Sequence, residues 1–353
     1  MLPVSVCIIG KNEEKFIEGC LQHLVGYDWE IIFVDTGSTD KTREIALKYT
    51  NNVYDFAWIK DFSAARNFAT SKSKRDWILS IDCDEYLEPF NPKSLQKKLR
   101  DYPDAIGQVS ILNLQNDQTE TLHHTVSRLY QKKYYHWENP IHEQLVRKDH
   151  STASAFPSEL SALHYGYALT PAETIAKTHR NLDMLLATLG DGNDNPYYYY
   201  KTGCEYVKLK EYDTALKYFE ATIECNLDPT LFWVQELIYQ YGATLILADK
   251  ADVALGLEAV FDDFSSIPEY IYIMALIYAA NGLFAKALAM LNKVVNMKEE
   301  CHIVTGVTSY VGYFQLGNVC HHLKKDDLAK VYLKKSGNYE PAMKLLEKIE
   351  RMN

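Results

Sequence analysis

Residues 77–89, WILSIDCDEYLEP, begin as an apolar strand and then bring three carboxylates, Asp82, Asp84 and Glu85, within four residues of one another. An unpaired buried carboxylate is strongly disfavoured or becomes protonated, so acids that end a buried strand call for a partner. Two carboxylates at i and i+2, with a turn beginning between them, can both reach a hard divalent cation, and such a cation neutralises the phosphates of a nucleotide. In a parallel α/β sheet, ligands bind beyond the carboxyl ends of the strands, where these acids fall. A D-x-D triplet also recurs by chance in surface turns, so its weight depends on its neighbours.

Three neighbouring segments carry chemistry of the same kind: IIGKNEE at 8–14, FVDTGSTDKT at 33–42 and WIKDFSAARNFA at 58–69. Asp35 ends an apolar strand before a Gly-Ser-Thr-Asp turn. A carboxylate there can read a ring N–H through a charge-assisted bond, or can simply shape the turn. Arg66, on an amphipathic helix beside Asn67 and after Trp58, either faces a pocket or is a solvated charge. Further on, VSRLYQ, HWENPIHEQLV and ALHYGYA place His142, Glu143 and His164 near predicted strand ends, where a lone histidine is as readily a buried one bonded to backbone.

The elements that position these residues are legible as far as about residue 168. Short β-branched runs alternate with amphipathic stretches, the pattern of strands crossed over by helices in a mainly parallel sheet. Strands are predicted at VSVCII, EIIFVD, NVYDF, WILSID and GQVSILNL, and helices after Asn12, after Thr39, from Ser63 and from Pro92. Ser38-Thr39-Asp40 supplies capping oxygens for the second helix.

From Thr170 the character changes. TPAETIAKTHRNLDMLLATL opens with a threonine cap, proline at the first helical position and glutamate three residues after the cap. No strand signal returns after GDGNDNP. Alanines 215, 254, 287 and 329 each follow a small residue by twelve positions (Gly203, Gly242, Ala275 and Gly317), with Tyr206, Leu245, Tyr278 and Cys320 three residues after the latter. Two small residues at a fixed offset allow the helices of a hairpin to approach, and the spacing resembles the tetratricopeptide repeat. The intervals of 39, 33 and 42 residues make units two and four irregular. The alternative is a non-repetitive helical bundle. Four consecutive tyrosines, 197–200, cannot all face one core of a helix, so one or two are expected at the surface, or against the first domain. The expected domains are 1–168, a linking helix at 169–194 and helical repeats at 195–353.

Composition narrows the function. A chain of 353 residues, 47% apolar, suggests two domains, and a net charge of −10 argues against nucleic acid or an anionic membrane as the main partner. Seven scattered cysteines without a CxxC pair signal neither a disulfide framework nor a thiolate zinc site. The start of the sequence lacks the marks of a secretion signal, and the most apolar later stretch is broken by Asn281, Gly282 and Lys286, so the expectation is a cytoplasmic protein without a membrane span.

Taken together and in this order, IIGKNEE, FVDTGSTDKT, WIKDFSAARNFA and DCDE resemble the nucleotide-sugar domain of glycosyltransferase family 2, with its GT-A fold, over roughly residues 3–168. The whole chain resembles the sublancin-type peptide glycosyltransferases of bacteria, an α/β GT-A domain followed by all-α tetratricopeptide-like repeats. The resemblance implies that Ile9, Gly10 and Glu13 line the nucleoside pocket of a UDP-sugar donor and that Asp35 accepts from uracil. It further implies that Arg66 holds base or phosphate, Asp82 the ribose, and Asp84 with His164 a Mn2+ or Mg2+ ion. An inverting transfer needs one carboxylate to take the acceptor's proton, and Glu143 is the candidate base. Many members carry an aspartate at that step, and His-Glu here leaves His142 open as well. The implied acceptor is a peptide or protein. Lipopolysaccharide-core glucosyltransferases share a similar first half and make a cell-surface glycan the alternative, and an inactive transferase–repeat scaffold is a third reading.

Overall fold

The computed structural model describes residues 2–114, 121–165, 170–299, 301 and 303–352. The chain divides into two compact units, 1–177 and 178–353.

The first unit alternates strands and helices through β1 (Val4–Gly10), α1 (Ile17–Leu24), β2 (Glu30–Asp35), α2 (Thr42–Ala46), β3 (Val53–Asp55), α3 (Phe62–Ser71) and β4 (Trp77–Asp82). There follow β5 (Glu85–Leu87), α4 (Pro92–Asp101), β6 (Ile106–Leu114), β7 (Thr121–Gln131), β8 (Tyr135–Glu138), β9 (Gln144–Arg147) and β10 (Ala155–His164). Eight strands form one sheet in the order β3-β2-β1-β4-β7-β6-β10-β5, and β8 pairs with β9. The first four of that order are parallel. Sequence pattern predicts a mainly parallel sheet; the observed one is mixed, because β7 runs antiparallel to β4 and β6, and β5 antiparallel to β10. Val4, Val6, Ile8, Phe33, Leu79 and Ile78 are fully buried, as strands covered on both faces require.

Helix starts follow side-chain chemistry. Asp61 caps α3 by accepting from Ala64 N–H, and Asn91 caps α4 ahead of Pro92. Before α2, Asp40 accepts from the backbone and hydroxyl of Thr42, so the helix opens three residues after Thr39.

The division between units falls within α5 (Pro171–Gly190), whose first turn carries the capping box: Glu173 accepts from Thr170 N–H and Thr170 Oγ1 from Glu173 N–H. The second unit continues with α6 (Pro196–Lys208), α7 (Tyr212–Ile223), α8 (Phe232–Leu247), α9 (Ala251–Ala254), a 3-10 turn (Leu255–Val260) and α10 (Phe261–Phe264). It ends with α11 (Pro268–Ala280), α12 (Phe284–Val294), α13 (Tyr310–His322), α14 (Asp326–Lys335) and α15 (Glu340–Met352). Alanines 215, 254, 287 and 329 are fully buried. A Cβ on Gly203 would lie 2.5 Å from Phe219, and one on Gly317 2.6 Å from Leu333. The second hairpin is irregular because its return helix is broken into α9, the 3-10 turn holding Gly256, and α10. The fourth is regular in itself; its longer interval is the chain between α12 and α13, where buried Glu269 accepts from Ile303 N–H at 2.8 Å. Among the tyrosines, Tyr198 and Tyr200 are buried, and Tyr197 and Tyr199 are half-buried. None is exposed, contrary to the expectation, because ring contacts with Trp233 and Tyr218 within this unit cover the second pair.

The hairpin packing makes a stability prediction. Gly203→Ala gains about 1 kcal/mol of helix propensity but overpacks against Phe219, at about 1–3 kcal/mol, so a net loss is expected. Gly190→Ala, where a Cβ meets nothing within 4 Å, should be neutral or stabilising. Denaturant midpoints decide; equal midpoints for the two variants contradict the close approach.

Candidate active site

The strand register assembles the site. Gly10 pairs with Asp35 of β2, and Ile9 pairs with Asp82 of β4. Three carboxyl-terminal strand ends thus lie side by side where the chain order reverses from β3-β2-β1 to β4, the usual ligand crevice of such sheets. Gly10 has no room for a side chain, since a Cβ would lie 2.6 Å from Cys83 Sγ. Its carbonyl accepts from Thr36 N–H, and that of Ile9 from the Cys83 thiol. Asp35 is 5% exposed; Oδ1 accepts from Gly37 and Ser38 N–H, so this oxygen shapes the turn.

The three acids of the opening stretch have three different fates. Asp82 sits between two guanidinium groups, Oδ1 accepting from Arg66 Nη2 and Oδ2 from Arg128 Nη2, each at 2.8 Å. Burial alone would raise its pKa; Arg128 and Arg66 outweigh this and hold it well below the usual carboxylate range. Glu85 is buried, accepts from Asp82 N–H and lies 3.4 Å from Arg128 Nη2. Its burial pushes its pKa up, against the pull of Arg128. Asp84 faces His164, with Oδ2 3.2 Å from Nε2.

Arg66 is expected from the resemblance to hold base or phosphate, but the structure gives all three of its nitrogens protein partners. Nε donates to Glu143 Oε1 at 2.7 Å, Nη1 to Ser80 Oγ and Nη2 to Asp82. At 5% exposure it joins Asp82 to Glu143, which leaves at most the second N–H of Nη1 and of Nη2 for a ligand. The 137–143 segment is fixed on the same helix: Asn67 exchanges amide bonds with the Trp137 backbone, Ser63 Oγ donates to Asn139 O, and Phe62 N–H donates to Pro140 O. Asn139 and His142 have positive φ (79° and 54°), a conformation held by its surroundings and frequent at functional sites.

Glu13 follows β1, and its backbone N–H donates to Thr42 Oγ1. Burial, then the charges of Asp84 and Asp82, push its carboxyl up from an ordinary 4.5 to about 7, which identifies Glu13 as a neighbour of the acidic pair. A carboxyl raised in the folded state favours folding below its unfolded value near 4.5 and loses that contribution as pH climbs towards 7. Chelator-treated Glu13→Gln should therefore lose less stability than the parent between about pH 5 and 7, read by thermal denaturation.

A divalent cation fits this donor set in part. Asn113 Oδ1 can only accept, so His164 Nδ1 donates to it, at 2.7 Å, and Nε2 is turned to Asp84, the arrangement typical of a metal-binding histidine and its orienting partner. Burial would lower the His164 pKa, but the bond to Asp84 and the charges of Asp84, Glu85 and Asp82 raise it. Among the described residues no group of three or more His, Cys, Asp or Glu is arranged to hold an ion. Asp84 and His164 are thus a candidate pair of ligands, fewer than a closed protein site supplies and of the number found at cation sites completed by substrate phosphates and water. Gly166 and Tyr167 of ALHYGYA lie outside the described residues.

A mixed α/β sheet with acids at the ends of its central strands, followed by helical hairpins, defines a GT-A-like domain joined to a repeat domain. Residues 5–153 match the family model for glycosyl transferase family 2, and residues 196–227 that for the tetratricopeptide repeat. The first unit therefore carries a family 2 glycosyltransferase domain. A TPR repeat-containing protein of Synechococcus elongatus is 28% identical over 212 residues, 58% of this chain and 52% of that protein. The SPbeta prophage-derived glycosyltransferase SunS of Bacillus subtilis is 27% identical over 233 residues, 63% of this chain and 53% of SunS. The lipopolysaccharide core biosynthesis glycosyltransferase LpsC of Rhizobium meliloti is 28% identical over 110 residues, 30% of this chain and 40% of LpsC. The chain spans about half the length of the first two relatives. No helix among the described residues is long and apolar enough to cross a membrane.

Proposed function

We propose that the chain is a metal-dependent, inverting glycosyltransferase that moves a sugar from a UDP-sugar to a peptide or protein. The observation that carries this reading is the convergence of Gly10, Asp35 and Asp82 on adjacent strand ends, with Asp84, two residues beyond Asp82, facing His164 from a distant strand. Ile9, Gly10 and Glu13 line the nucleoside pocket, the second oxygen of Asp35 accepts from the uracil ring, and Asp82 accepts from ribose. Asp84 and His164 hold Mn2+ or Mg2+, which when bound offsets the charge of the departing diphosphate, so no protein acid is required on that side. Glu143 takes the acceptor's proton through the oxygen not bonded to Arg66. Arg66 acts by positioning: it keeps the proposed base and Asp82 in one frame.

The polypeptide acceptor is supported by the tetratricopeptide match, since stacked hairpins commonly present a concave binding surface, and by the resemblance of the domain order to the sublancin-type peptide glycosyltransferases. A glycan acceptor is the second reading, favoured by the likeness to LpsC. Thermal-shift screening of nucleotide sugars with and without manganese tests the donor. A ligand at a hundredfold excess over its Kd adds about 2.7 kcal/mol to apparent stability, and a set of UDP-sugars that leaves the transition unmoved overturns the reading. Mass spectrometry of polypeptide and oligosaccharide acceptors distinguishes the two acceptors, and slow donor hydrolysis distinguishes an enzyme from a scaffold.

A further inference from the structure

Arg128 belongs to none of the roles above, yet the fold goes out of its way to aim it. In the β6–β7 ladder Gly107 pairs with Leu129 and Gln108 with Ser127, so Arg128 is the extra residue of a β-bulge. A bulge redirects a side chain, and bulges are enriched beside active sites. On the other side of β7, pairing with β4 stops at Leu79–Leu129. Beyond that point β4 continues to Ser80 and Asp82 paired with β1 but no longer with β7, and the Arg128 side chain reaches Asp82. Gly107, opposite Leu129, has no room for a Cβ, which would lie 2.8 Å from the Leu129 side chain, so the bulge depends on a glycine across the ladder.

We infer that Arg128 is a positioning residue for the sugar-nucleotide donor, acting through Asp82 and the Asp82–Glu85 turn. This rests on the glycosyltransferase reading. The ionic chain runs Glu143–Arg66–Asp82–Arg128–Glu85. Arg66 grips one oxygen of Asp82 and Arg128 the other, which fixes the carboxylate plane as neither could alone. Arg128 also draws Glu85 towards Asp82, while Glu85 accepts from the Asp82 amide, so the turn carrying Asp84 is closed at both ends. The two arginines differ in one respect. Arg66 bonds the proposed base directly; the hydrogen bonds of the Arg128 side chain go to Asp82 and Glu85. Loss of Arg128 should therefore weaken donor binding and spare turnover at saturation, whereas loss of Arg66 should impair both.

The test is Arg128→Lys in the full chain, with Arg66→Lys alongside, measured for UDP affinity with manganese by titration calorimetry and for donor KM and kcat separately. Both contacts of Arg128 are made by Nη2, and a lysine keeps the charge but carries it as a point charge on a shorter side chain that ends short of the Nη2 position. The expected result for Arg128→Lys is a donor KM and UDP Kd raised about tenfold or more with kcat within about threefold, and for Arg66→Lys a fall in kcat as well. Arg128→Lys with unchanged KM, or with kcat lowered and KM unchanged, overturns the inference while the parent's UDP binding leaves the glycosyltransferase reading standing. A parent chain that binds no UDP overturns both. If Arg128→Lys does not fold, Glu85→Gln loosens the same grip from its outer end and should raise UDP Kd about threefold; no change there counts against the inference.

Discussion

Asp84→Asn is expected to abolish sugar transfer and manganese-dependent UDP binding while leaving the protein folded. The substitution removes one charge from the proposed cation's ligand set and leaves His164 as the remaining side-chain ligand. Charge stabilisation by a bound cation amounts to several kcal/mol, and each 1.36 kcal/mol is tenfold in rate, so the loss is on the order of a thousandfold or more. Folding should survive because the structural bond of Asp84 is made by its backbone: its carbonyl accepts from Tyr165 N–H at 2.9 Å, whatever the side chain. Asp82→Asn makes the contrast, since it takes a carboxylate from between two guanidinium groups, one buried and one half-buried, and should lower stability itself. His164→Ala should weaken manganese-dependent binding less than Asp84→Asn, because a neutral ligand is lost rather than an anion. Calorimetric titration of UDP with and without manganese, beside thermal denaturation, separates these outcomes. Manganese dependence unchanged in both Asp84→Asn and His164→Ala would sink the metal assignment.

What the sequence disclosed and what it hid divide along physical lines. Strands β1, β2 and β4 are legible because each is a nearly continuous apolar run, largely buried on both faces, and β6 because Val109 and Ile111 alternate with half-buried Gln108, Ser110 and Leu112. Strand β10 hid behind mixed composition, although its buried residues Phe156, Ser158, Leu160 and Ala162 alternate with period two, a signal that a strict alternation count would have found. The mixed topology depends on β7, whose direction no local pattern encodes. The acids and Arg66 were visible as residue types, but their partners were not. That Arg66 joins Asp82 to Glu143 is a contact between α3, β4 and a segment 77 residues away from Arg66. The aim of Arg128 within VSRLYQ is not legible locally, because a bulge is a property of two strands in register. The tyrosines misled for a related reason: a helical wheel shows which side chains diverge, but not that Trp233 and Tyr218 approach from other helices to cover them.

Glu143→Gln is expected to lower turnover by about a hundredfold or more, the range for a lost general base, with donor affinity nearly intact. The prediction is sharp because of the bond with Arg66. Glutamine is close to isosteric with glutamate, and its carbonyl oxygen can still accept from Arg66 Nε, so the 2.7 Å contact and the position of the guanidinium can persist. What glutamine cannot do is receive a proton from the acceptor's nucleophile. A base role and a purely positioning role therefore separate. If Glu143 takes the proton, kcat falls while UDP Kd and thermal stability stay close to the parent's. If its only task is to anchor Arg66, the loss of its charge weakens a buried ion pair, and stability and UDP affinity decline together, with kcat following them. Near-normal turnover moves the proton-accepting role to His142, the adjacent residue with positive φ. His142→Ala in the Glu143→Gln background then decides: a further large fall in kcat assigns the base to the histidine, and no further fall leaves proton removal to the substrate itself.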